Sequence, residues 1–340
     1  MKDLKVSYIW GHESFKELLI PKIITNHFNF NIIWTAPSDC DLLLIGPYRK
    51  FGKILKKIHS KSNFLSGDIF RNFERGVFFK KSKPITIFYC RENERSFFEK
   101  TDYSIGSDFN YEENENYLRI PVWKDFCDWS DFGLANSTLK TLNAIRFGEH
   151  YSIKAMLEPI GGKFLQKEKN LCCFFSNLNF IRNQYLDVIK RYFKIDGYGP
   201  AFDQNISSHN QSNFLKKDIM KNYLINFCPE NELYPGWYTE KVPDAFLAGN
   251  IPLTWADQNI RADFNIKSFI NLNDYKMDEL DSLFKEFKSN DFISKFFKEP
   301  LLLEPININE EIEFCKKILS NFNKKIIFFY YLNIFFFAIQ

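Results

Sequence analysis

Short apolar runs of strand length alternate with amphipathic stretches along most of the chain. Residues 4–10 and 30–35 are β-like, and residues 15–27 between them repeat apolar positions at helical spacing. Residues 41–46 (DLLLIG) predict a fully buried strand and residues 53–59 a basic helix. Residues 84–90 (PITIFYC) predict another buried strand, which ends directly in Arg91, Glu92, Asn93, Glu94 and Arg95. The stretches 103–106 and 117–122 continue this first half, and residues 149–169, with Gly161, Gly162 and several charges, read as a crossover. A second α/β run opens at 171–175 (LCCFF). It continues as a helix over about 179–193, with Tyr185, Leu186, Ile189 and Phe193 on one face, and then as a strand and glycine turn at 194–199. That turn is a place where backbone can approach a ligand closely. From about residue 278 the pattern is helical and charged.

The densest stretch is 222–257, NYLINFCPENELYPGWYTEKVPDAFLAGNIPLTWAD. An apolar run at 223–228 is closed by Pro229, a loop holds Pro235 and Gly236, and a helix begins near Glu240, because Pro243 is tolerated only in a first turn. Gly249 caps that helix and 251–255 is the next buried strand. A helix start offers unpaired N–H groups to a diphosphate, and Lys241 adds a full charge there. Glu230, Asn231, Trp237 and Glu240 stand on the same loop, able to meet hydroxyls or a ring. The competing reading is an ordinary α/β connection with solvated charges. Charged groups just past the carboxyl end of a parallel strand, as at Arg91–Arg95, mark a second place where open sheets build sites.

Composition narrows the partners. With 340 residues, 45% hydrophobic and 18% aromatic, the chain can fill two domain cores. Its 45 basic and 42 acidic residues leave +3, well mixed, which argues against nucleic acid and for a small-molecule partner. Seven cysteines without a CxxC pair, mostly inside apolar runs, predict free thiols, a reducing compartment and no structural zinc. The first 15 residues hold no apolar core of signal-peptide length, and no segment reaches the roughly 20 apolar residues of a membrane span. The five histidines are scattered without a partner at catalytic spacing.

The block P-E-N, then T-E-K, then a small-residue helix ending G-N-I-P, resembles the donor-binding motif of the α-1,3/4-fucosyltransferases of glycosyltransferase family 10, bacterial type. The likeness covers residues 83–122 and 171–283. It implies an α/β fold of the GT-B kind, two Rossmann-like domains facing a cleft: an acceptor-side domain at 1–155, a donor-binding domain at 156–320 with a helical end, and an apolar tail at 321–340. It also implies an inverting transfer of L-fucose from GDP-fucose to an oligosaccharide acceptor, O3 of N-acetylglucosamine in a lactosamine-type glycan, with no catalytic metal or cofactor. Such a transfer needs one base for the acceptor hydroxyl and positive charge on the departing diphosphate. Glu92, after the strand PITIFYC, matches the Glu of the family's G-E-N segment and is the expected base, with Glu94 as competitor; Arg91 replaces the usual Gly. Arg182 and Lys241 are the expected cations, Arg182-Asn183 matching the family's R-N. Glu240 is expected to accept hydrogen bonds from ribose or sugar hydroxyls. Asn231 and Trp237 stand where relatives contact the donor, Trp replacing Tyr, and Pro229 stands where relatives have Phe.

Two rivals stay open: a relative that uses another nucleotide sugar, and a glycan-binding relative without turnover. The expected location is cytoplasmic. The end of the chain, Asn323, Lys324 and Lys325 followed by IIFFYYLNIFFFAIQ, is read either as a peripheral contact with anionic membrane or as a packed or disordered end.

Overall fold

The computed structural model describes residues 1–11, 13–47, 84–93, 101–111, 113–136, 147–161, 167, 169–202 and 216–322. The expected helix at 53–59, Glu94 and the apolar tail from 323 lie outside them.

Six strands form the first sheet: β1 (Lys2–Ile9), β2 (Phe30–Trp34), β3 (Leu42–Ile45), β4 (Ile85–Tyr89), β5 (Tyr103–Gly106) and β6 (Tyr117–Arg119). Every pairing is parallel, in the order β2-β1-β3-β4-β5-β6. The near-continuous apolar sequences of β3 and β4 follow from burial on both faces, as parallel sheets require. The helix expected at 15–27 is instead a 3-10 turn, Glu13–Glu17, followed by an α-helix, Leu19–Asn26. Pro21 is the cause: it lacks an N–H and would clash with the carbonyl four residues back, so it is accommodated only in the first turn of a helix restarted after extended Leu18.

Five strands form the second sheet: β7 (Lys169–Phe174), β8 (Ile195–Tyr198), β9 (Tyr223–Phe227), β10 (Ile251–Thr254) and β11 (Ile270–Asn271). All are parallel, in the order β11-β10-β9-β7-β8. Leu171, Ile225, Phe227, Ile251 and Leu253 meet Ile189, Leu280, Leu283, Phe284 and Phe297 in a separate core. The order reverses between β7 and β9, which makes the carboxyl ends of these two strands the switch point where open sheets bind ligands. The two parallel sheets realise the GT-B-type α/β architecture expected.

Two helices, Leu280–Glu286 and Asn290–Phe297, cover the second sheet. A third, over 309–322, returns to the first: Phe314 packs edge-on to Tyr103 with centroids 5.6 Å apart, and Lys317 donates to the Glu115 carbonyl at 2.8 Å. The stretch 309–322 therefore reaches the first sheet. All seven cysteines are buried free thiols, and no group of His, Cys, Asp and Glu among the described residues could hold a metal. No helix among the described residues is long and apolar enough to cross a membrane.

Candidate active site

The loop leaving β9 is built around Glu230. This carboxylate is 3 % exposed; it accepts the Thr239 N–H at 2.8 Å and the Thr239 hydroxyl at 2.9 Å, and it pairs with Lys241. The loop is thereby closed on itself, its first residues bonded to the start of the helix Lys241–Leu247. Gly249, at φ +75°, ends that helix as expected, with Asn250 N–H on the Ala245 carbonyl at 2.9 Å.

Arg182 comes from the neighbouring strand end. Its helix, Phe180–Ile189, is capped by Asn179, whose side chain accepts the Arg182 N–H at 2.9 Å. The guanidinium is 7 % exposed, lies 4.7 Å from the Phe175 ring centroid, and donates to the Asn177 carbonyl at 2.7 Å and to the Asn231 side chain. Burial pulls its pKa below the ordinary arginine value against the attraction of Glu230. Its Nε–H has no hydrogen-bond partner among the described residues, and neither has the indole N–H of Trp237, which is 4 % exposed. Buried donors left unpaired cost free energy, so both are poised for an acceptor that a ligand can bring. The Lys241 ammonium lies 5.8 Å from the Trp237 ring centroid.

Glu240 is half-buried, at the position preceding that helix. Burial would raise its pKa, but Lys241, Lys216, a backbone hydrogen bond and Arg91 together hold it below the usual carboxylate range. Beneath it, Asp244 is 2 % exposed and accepts the Tyr151 hydroxyl and the Lys216 ammonium, each at 2.5 Å. The pKa of Asp244 is raised by burial, against Lys216. That of Lys216 is raised too, because Asp244 and Glu240 outweigh the opposing effect of burial. Neither Asp244 nor Tyr151 stood out in the sequence. Three cations here, Arg182, Lys216 and Lys241, face three carboxylates, Glu230, Glu240 and Asp244.

Glu92 is exposed on the turn that follows β4. Arg91, the replacement for glycine, points inward: it pairs with buried Asp125 at 3.2 Å and lies 4.7 Å from the Phe126 ring centroid. Asp125 also accepts the Tyr89 hydroxyl at 3.1 Å. On the other side of Glu92, the Asn93 amide donates to Glu232 on the β9 loop. That loop meets the first sheet twice more. Tyr234 donates to Asp108 and accepts from the Asn110 amide at 2.9 Å, while Arg119 donates to the Gly236 carbonyl at 3.3 Å and grips Asp263 with two bonds of 2.9 and 3.0 Å. The loop after β9 therefore faces the carboxyl ends of β4, β5 and β6, which brings the turn that carries Glu92 against the loop that carries Asn231, Trp237 and Glu240. The glycines of 194–199 do something else: a Cβ on Gly197 would lie 2.5 Å from the Phe202 ring, and one on Gly199, at φ +100°, 2.6 Å from the Phe175 carbonyl. They permit internal close packing.

Residues 164–318 match the model of the C-terminal part of glycosyltransferase family 10 (fucosyltransferase). The chain is 26% identical over 349 aligned residues to the alpha-(1,3)-fucosyltransferase FucT of Helicobacter pylori, covering 94% of this chain and 66% of that protein. It is 30% identical over 129 residues to the human 4-galactosyl-N-acetylglucosaminide 3-alpha-L-fucosyltransferase 9, covering 36% of this chain and 34% of the relative. The chain thus spans about two thirds or less of the length of these relatives. The crystal structure of an alpha1,3-fucosyltransferase with GDP-fucose superposes with a TM-score of 0.63 at 21% identity, over 94% of this chain and 91% of that one, and establishes the fold. The motif read in the sequence and the matched model agree: residues 164–318 are the C-terminal part of a glycosyltransferase family 10 (fucosyltransferase) protein, and the chain is similar to a fucosyltransferase over 94% of its length.

Proposed function

We propose that the protein transfers L-fucose from GDP-fucose, with inversion, to a hydroxyl of a lactosamine-type glycan, O3 of N-acetylglucosamine. The observation that carries this reading is the convergence of Arg182, Asn231, Trp237, Glu240 and Lys241 at the β7/β9 switch point, opposite the Glu92 turn. In this reading the diphosphate takes the unpaired Nε–H of Arg182 and a share of Lys241, whose charges stabilise it as it leaves. The ionised Glu240 accepts hydrogen bonds from ribose or sugar hydroxyls, and Trp237 and Asn231 line the donor. Glu92 takes the proton of the acceptor hydroxyl as it attacks the anomeric carbon from the opposite side. A nucleoside diphosphate leaves without protonation, so one carboxylate suffices, unlike the pair of an inverting hydrolase. Proton transfer by a positioned base contributes about 10²–10⁴ in rate.

The test is GDP release from GDP-fucose with and without N-acetyllactosamine. Release that rises steeply with the acceptor and yields a product heavier by one deoxyhexose supports the reading; donor binding without acceptor-dependent release contradicts it. The same reading places the enzyme in the cytoplasm, with the basic and apolar tail against anionic lipid. Binding to anionic but not neutral liposomes is expected, and indifference to both would reject that placement.

A further inference from the structure

The turn that carries Glu92 is held from two sides by different domains. On one side Arg91 is fixed within the first domain by Asp125 and by the Phe126 ring. On the other, the Asn93 amide bonds to Glu232, a residue of the second domain. Glu232 adjoins Asn231, which accepts from Arg182, and stands two positions from Glu230, which holds Lys241 and Thr239. A set of contacts and chain neighbours therefore runs from Arg182 and Lys241, through the loop after β9, to the residue beside Glu92. The other ties of this loop, Tyr234 to Asp108 and Gly236 to Arg119, reach different strand ends and bypass the Glu92 turn.

We propose that Glu232 is a positioning residue: by accepting the Asn93 hydrogen bond it sets the Glu92 turn against the nucleotide loop, so that the loop that binds the donor also places the base. This rests on the reading of Glu92 as base. A base misplaced by a fraction of its reach loses rate even though its own chemistry is unchanged. Since Glu232 holds the turn, while the proposed donor contacts are Arg182, Asn231, Trp237, Glu240 and Lys241, its loss appears in kcat and leaves donor KM alone.

Kinetics of the full chain with GDP-fucose and N-acetyllactosamine give the first test. Glu232→Ala lowers kcat roughly tenfold with KM for GDP-fucose changed by less than about twofold. Glu232→Gln, whose amide oxygen accepts the same bond, restores most of the lost rate. A second readout needs no turnover: hydrogen exchange over residues 84–93 with and without GDP. GDP slows exchange there in the native chain, in Glu232→Gln and in Tyr234→Phe, which loses only the Asp108 tie, but not in Glu232→Ala. The proposal is overturned if Glu232→Ala keeps native kcat and native GDP-dependent protection, or if Glu232→Gln behaves like Glu232→Ala. Turnover retained by Glu92→Gln overturns the base assignment underneath it, a failure told apart from failure of the tie by the exchange measurement.

Discussion

Beside the second sheet Arg182 and Glu230 are 7 % and 3 % exposed and are bonded to partners of their own half, whereas Glu92 stands exposed on a turn whose far side is bonded to the other half. The second-sheet side, the donor side of the proposed reaction, has its charges held by internal ion pairs and hydrogen bonds, an arrangement that suits a group proposed to stabilise a developing diphosphate without reorganising. The first-sheet side, the acceptor side of the proposed reaction, leaves the Glu92 carboxylate exposed. Substitutions on the donor side should therefore cost stability and affinity together, and those on the acceptor side should cost rate alone.

The largest expected break in that contrast is Lys241→Ala. It leaves Glu230 buried without its cation, so unfolding in urea should show a loss of about 3 kcal/mol, together with weaker GDP binding. Gly236→Ala comes next: at φ +90° an added Cβ would lie 1.9 Å from the Ser107 carbonyl, so the loop must part from the first domain, at about 2 kcal/mol by thermal unfolding. Arg182→Ala should weaken GDP binding by about 1.5 kcal/mol in a calorimetric titration, because a charge-assisted hydrogen bond is lost. The smallest effect is the control: Glu92→Gln should shift unfolding by less than about 0.5 kcal/mol, as exposed substitutions do. A stability loss at Glu92 equal to that at Lys241 would erase the distinction between the two sides.

The donor side was also the more legible in sequence. The run 223–228, the first-turn proline and the terminal glycine define strand, loop and helix locally, and the structure has β9, the helix Lys241–Leu247 and β10 in those places. Local pattern was silent on partners. Nothing in the sequence says that Glu230 closes on Lys241 and Thr239, that Tyr151 meets Asp244, or that Arg119 grips Asp263 across 144 positions. The last two pairs are set by the way two sheets are brought together and the first by the path of a loop, and periodicity carries no information on either. β11, two residues long, is too short for any period to register. The broken helix near Pro21 was readable in principle, since the proline stood in view and the apolar spacing across it concealed its effect.

The central claim, a donor held on one side and a lone base on the other, is tested most directly by Glu92→Gln, with GDP affinity and fucose transfer to N-acetyllactosamine measured on the same preparation. The account predicts native GDP affinity with transfer reduced by about 10³ or more. Transfer near the native rate would contradict it.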